Sequence, residues 1–153
     1  MCHFKISCLR VQAAVTQPEC LEKTDDVSIG SAFACTFDGV GTCLVTNYHV
    51  IEDGVSIVVH REHLGLPNVT TRVLMACPDL DFALLSPAPE GSTPIPVHCG
   101  PLEPGEQVHV IGFPLDSNQL RTSTARLNGT KDEYIQIDGG ICAGNSGGAV
   151  TTC

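Results

Sequence analysis

From Ile29 onward, short runs of β-branched or apolar residues are broken by Gly, Asp or Pro. Ser31–Phe37, Thr42–Thr46, Val55–His60, Val69–Ala76 and Phe82–Leu85 are each too short for a stable helix and have the length of strands. Six prolines then crowd one stretch: Pro87, Pro89, Pro94, Pro96, Pro101 and Pro104. Proline lacks an N–H and fixes φ, so this density excludes a central strand or a helix, and residues 91–105 read as a linker. Strand-like runs resume at Glu106–Phe113, Arg121–Leu127, Tyr134–Asp138 and Gly148–Thr152. Residues 1–28 carry no clear period and read as a loosely ordered leader. The pattern predicts an all-β protein in two halves, 29–90 and 106–153. Small antiparallel barrels suit such halves, because closure removes exposed edges.

Composition narrows the partners. The 153 residues include 8 Lys plus Arg against 17 Asp plus Glu, a formal charge of −9. Affinity for a phosphate backbone comes mostly from Lys and Arg, so no nucleic-acid partner is expected. With 42% hydrophobic and 16% charged residues, the sequence is too apolar to be disordered. No apolar run reaches the roughly 18 residues that span a bilayer, so no membrane span is expected. Nine cysteines are scattered without a C-x-x-C pair, which speaks against zinc-ribbon and thioredoxin-like chemistry. An odd number leaves at least one thiol unpaired within the molecule, and reduced thiols are the plain reading. Lys5 and Arg10 interrupt the apolar stretch Met1–Val15, so it does not read as a secretory signal, and an intracellular location is expected. The sequons at Asn68 and Asn128 are then chance matches.

Candidate chemistry concentrates near Gly144-Asn145-Ser146-Gly147-Gly148. Flanking glycines let a serine sit in a tight turn whose backbone N–H groups converge on an oxyanion. An inert turn would use the same residues. The segment also matches the G-x-S-x-G nucleophile elbow, but there the acid and the histidine follow the serine. Only seven residues follow Ser146, and none is Asp, Glu or His. Its partners must lie upstream. His49 stands at the end of the strand Thr42–Thr46, and Asp81 opens the strand Phe82–Leu85, with Asp79 a rival two residues earlier. A carboxylate there could orient a histidine through Nδ1–H. His60 and His63 lack a second ligand pair of suitable spacing, so no metal and no cofactor is called for.

Taken in order, Thr46-Asn47-Tyr48-His49-Val50, Asp81-Phe82-Ala83-Leu84-Leu85 and Gly144-Asn145-Ser146-Gly147-Gly148 resemble a trypsin-like serine protease of the HtrA/Deg type. Spacings of 32 residues from His49 to Asp81 and 65 from Asp81 to Ser146 fit that order, as do Val110–Pro114 and Ile135–Ile141. The resemblance covers residues 29 to 150. It implies a chymotrypsin-like double β-barrel, with His49 and Asp81 on the first barrel and Ser146 on the second. It further implies a polypeptide substrate, an oxyanion hole at Gly144, Asn145 and Ser146, and a substrate pocket at Gly140, Ile141 and Cys142. Gly140 stands where trypsin-like enzymes place the residue at the pocket base, so no strong preference for Lys or Arg is implied. Asn145 replaces the aspartate that trypsin-type zymogens use to bind a new N-terminal amine, so no such activation is expected. Members are often trimers, which makes a homo-oligomer an expectation. Only Gly147–Cys153 follows the serine, so the second barrel is expected to be incomplete, truncated at its C-terminus. The alternative to a serine endopeptidase is an inactive fragment, or a pseudoprotease that binds peptides by strand addition.

Overall fold

The computed structural model describes residues 8–16, 25–52, 54–97, 101–114, 119–131, 134–139, 141 and 144–152. Six strands close a barrel: β1 (Cys8–Thr16), β2 (Asp25–Phe37), β3 (Gly41–Thr46), β4 (Gly54–His60), β5 (Val69–Cys77) and β6 (Phe82–Ser86), in the order β1-β2-β3-β6-β5-β4. Four more form an open antiparallel sheet: β7 (Gln107–Gly112), β8 (Arg121–Lys131), β9 (Tyr134–Gly139) and β10 (Ala149–Thr151), in the order β10-β7-β8-β9. The fold is therefore all-β and chymotrypsin-like, with a closed first barrel and a half-formed second one.

The nine strand-like runs each fall on one of β2–β10. One expectation is corrected. Residues 8–16 and 25–28, read as part of a loose leader, are strand, so the first barrel takes in Cys8–Thr16. β1 pairs with β2 from Cys8↔Phe33 to Thr16↔Asp25, and with β4 from Arg10↔His60 to Val15↔Gly54. Without β1 the edges of β2 and β4 would stand open. Pairing on both sides supplies the order that a weak hydrophobic period does not announce.

Apolar side chains at alternate positions fill the first barrel. Ala32, Ala34, Leu44, Val50, Ile51, Ile57, Val59, Ala83 and Leu85 form one buried cluster. Val108, Val110, Ala125 and Leu127 form a smaller one on the second sheet. Because that sheet is not closed, its inner face lines an apolar hollow of about 360 Å³, bordered by Phe33 of the barrel and Ile95–Val97 of the linker. The linker crosses β2, where Ile95 N donates to Ala34 O at 2.9 Å. Cys35 and Cys43 face each other across β2 and β3 as buried free thiols, and burial pushes the Cys35 thiol up from its ordinary range.

Candidate active site

His49 sits on α1 (Tyr48–Ile51), a single turn that follows β3 directly. Val50 and Ile51 are buried in the barrel core, and that anchorage turns His49 outward, its side chain 53% exposed. Across β3 and β6 the ladder pairs Thr46 with Ala83, which brings the start of α1 beside the residues ahead of β6. Asp81 lies there, at the end of a 3-10 turn (Pro78–Leu80), with φ of 51°. This left-handed conformation costs a non-glycine residue on the order of 1–2 kcal/mol, and Asp tolerates it better than most. It turns the carboxylate toward α1.

Two hydrogen bonds join the pair. His49 Nδ1 lies 2.7 Å from Asp81 Oδ2, and the His49 backbone N–H donates to Asp81 Oδ1 at 2.8 Å. Asn47 Nδ2 donates to the Asp81 carbonyl at 2.8 Å and ties the two segments a third time. Asp79 takes no part in this contact. It is exposed, and its backbone carbonyl accepts a bond from Tyr134 Oη of the second sheet at 3.4 Å.

The loop that carries Ser146 is held by its carbonyls. Gly144 O accepts from Ser31 Oγ at 2.9 Å, Asn145 O from Gly148 N at 2.8 Å and Ser146 O from Ser31 N at 2.7 Å. In a trans peptide the C=O and the following N–H point in opposite directions. Anchoring these three carbonyls therefore fixes the N–H groups of Asn145, Ser146 and Gly147 as well. Asn145 is buried, and its Oδ1 has no hydrogen-bond partner among the described residues.

Gly30 is where the two halves meet. A Cβ built there would lie 2.6 and 2.7 Å from the Val50 methyl carbons and 3.0 Å from Ser146 O. Only a residue without a side chain lets α1, which bears His49, and the Ser146 loop close on the same point of β2. Among the described residues no hydrogen bond joins Ser146 to His49. Such contacts in unliganded sites often tighten only when substrate arrives.

Of the pocket positions expected from sequence, Ile141 is exposed and its N–H donates to Gly139 O at 2.9 Å. Gly140 and Cys142 lie outside the described residues. His60 and His63 do separate jobs. His60 Nδ1 pairs with Glu62 Oε1 at 3.0 Å and holds that carboxyl below its ordinary range, while His63 packs edge-on against Phe113 with ring centroids 5.0 Å apart. The positions missed by sequence reasoning are Gly30 and Ser31. A small polar residue in an apolar run carries no local mark of what it touches 113 residues away.

A closed barrel with an exposed His–Asp pair, joined to a half barrel with a glycine-bound serine, defines a two-barrel fold of the chymotrypsin class. The protein belongs to the trypsin-like peptidase domain family, which matches residues 30–153. Its fold is similar to that of the active form of the Rv3671c protease from M. tuberculosis (TM-score 0.73, 21% identity, 94% of this protein and 64% of that one). It is also similar to the serine endoprotease from Yersinia pestis (TM-score 0.71, 22% identity, 94% and 49%). The HtrA-type protease AlgW with a tripeptide gives a TM-score of 0.73 at 21% identity over 94% and 46%. The 153 residues thus span between 46% and 64% of the length of these neighbours. No sequence among curated proteins matches it.

Proposed function

We propose that this protein holds the catalytic centre of a serine endopeptidase. The observation that carries the reading is the doubly bonded His49–Asp81 pair. Inert surface histidines need no such fixation. A general base needs it, because one ring nitrogen must hold its proton while the other stays free to accept.

In this reading Ser146 Oγ attacks a peptide carbonyl and His49 Nε2 takes its proton. Asp81 holds Nδ1–H and stabilises the imidazolium that forms. Negative charge grows on the carbonyl oxygen and is met by loop N–H groups, Ser146 N–H among them. Losing one such donor costs on the order of 10²–10³ in rate. His49 then protonates the leaving amine, which leaves an acyl-enzyme at Ser146, and water attacks by the reverse path. Asn145 is neutral, so the centre forms without a new N-terminal amine to pair with it. A small or medium apolar side chain is the proposed preference at the cleavage site, supported by the absence of a carboxylate at Gly140.

A fluorophosphonate probe tests the proposal, since it reacts only with an activated serine. The expected result is covalent labelling of Ser146 in the wild type and none in Ser146→Ala or His49→Ala, read by peptide mass mapping. A folded wild-type protein that takes no label but binds peptides overturns the hydrolase reading in favour of a binding module. The edges of β9 and β10, unpaired among the described residues, would then be the surface for strand addition.

A further inference from the structure

Ser31 uses every polar group it has. Its N–H donates to Ser146 O at 2.7 Å and its carbonyl accepts from Thr46 Oγ1 at 2.8 Å. Its Oγ accepts from Phe113 N at 2.9 Å and donates to Gly144 O at 2.9 Å. The hydroxyl's direction is fixed, because a backbone N–H can only donate and a carbonyl can only accept. The residue has 0% exposure.

These four bonds lead to three different parts of the molecule. Thr46 ends β3, one turn before His49. Phe113 follows β7 of the second sheet. Gly144 and Ser146 flank the nucleophile loop's central peptide. Ser31 therefore ties two of the three carbonyls whose orientation sets where the loop N–H groups point. The third, Asn145 O, is tied inside the loop by Gly148.

The site also admits nothing much larger. A Cβ on Gly112 would lie 3.0 Å from Ser31 Oγ, and one on Gly147 would lie 2.0 Å from Ser31 O. Alanine would fit the space but leave Phe113 N–H and Gly144 O, both on buried residues, without their Ser31 partner. Gly144 O would then be free to turn, and the Asn145 N–H would turn with it.

We infer that Ser31 is a positioning residue for the nucleophile loop: its hydroxyl and its N–H, from the first barrel, hold the loop of the second sheet in the orientation that aims its N–H groups at the reacting oxygen. The inference rests on the serine-protease reading proposed above, and it adds a residue that acts through Gly144 and Ser146 without touching substrate.

The test compares Ser31→Ala and the near-isosteric Ser31→Cys, whose thiol is a weak donor, with the wild type. Two readouts are taken: the fluorophosphonate inactivation kinetics of the folded fraction, and amide hydrogen exchange at residues 144–148. In Ser31→Ala the maximal inactivation rate should fall by about 10- to 100-fold while the probe's half-saturating concentration stays within about twofold. Exchange at Gly148, whose N–H is bonded to Asn145 O, should quicken while Val59 and Leu85 of the barrel stay protected. Ser31→Cys should fall between the two on both readouts, and it carries the test if Ser31→Ala does not fold. A purely structural role would lower the melting temperature but leave the folded fraction reacting at the wild-type rate with the loop amides still protected; that result overturns the inference. If the wild type takes no label, the function proposed above fails, and the exchange readout alone then decides whether Ser31 orders the loop.

Discussion

Asp81→Asn should lower the maximal rate of peptide hydrolysis by about 10⁴-fold and leave the protein folded. The reason lies in the second hydrogen bond of the pair. His49 N–H can only donate, and it donates to Asp81 Oδ1. In the variant the amide oxygen must stay at that position, since an NH2 group there would oppose another donor. The NH2 group then falls where Oδ2 was, facing His49 Nδ1. Nδ1 must become the acceptor, so the ring proton moves to Nε2, the nitrogen that in the proposed mechanism takes the proton from Ser146. The histidine is held in place but in the wrong tautomer. Asparagine is a cleaner probe than alanine because it also tolerates the left-handed backbone at φ 51°. Asp79→Asn is the matched control, and its rate should stay within about twofold of wild type, since Asp79 is exposed. Steady-state kinetics on a peptide substrate decide the matter. Equal losses from the two variants, or a loss only from Asp79→Asn, would assign the acid wrongly.

What could be seen in the sequence was whatever short-range chemistry marks. Strands β2–β10 announced themselves because half-buried strands need apolar residues at short spacing and turns need Gly, Pro or Asp. β1 did not, because its order comes from pairing with β2 and β4 on both sides and not from its own residues. His49, Asp81 and Ser146 were candidates by type, setting and order. Their mutual geometry was out of reach. The left-handed turn at Asp81, the backbone bond from His49 and two of the loop's three anchored carbonyls depend on contacts between distant segments. Gly30 and Ser31 show the same limit. One is needed for the space it does not fill, the other for bonds to residues more than 80 positions away.

Those distant contacts also set the most damaging small substitution. Gly147→Ala should leave no active enzyme and should lower the melting temperature by roughly 10 °C, taking about 2–4 °C per kcal/mol for a protein of this size. Two effects add. Gly147 has φ of +85°, where an alanine is strained by about 1–2 kcal/mol. Its new methyl carbon would also lie 2.0 Å from Ser31 O and 2.3 Å from Thr46 Oγ1. Neither neighbour can step aside freely. Ser31 is bonded on all its polar groups, and Thr46 Oγ1 is itself one of its partners. Relief requires the loop to lift off β2, which breaks the bond from Ser31 N to Ser146 O. Overpacking of this kind costs about 1–3 kcal/mol, a large share of the roughly 5–15 kcal/mol that holds a typical domain together. Gly39→Ala separates the two effects. Gly39 has a similar φ of +76° but nothing within 4 Å of the added carbon, so only the strain remains. Thermal unfolding of the pair should give a small shift for Gly39→Ala and a severalfold larger one for Gly147→Ala, with probe labelling of Ser146 lost only in the latter. Equal shifts would mean that the backbone conformation alone, and not the close approach to Ser31, is what requires glycine beside Ser146.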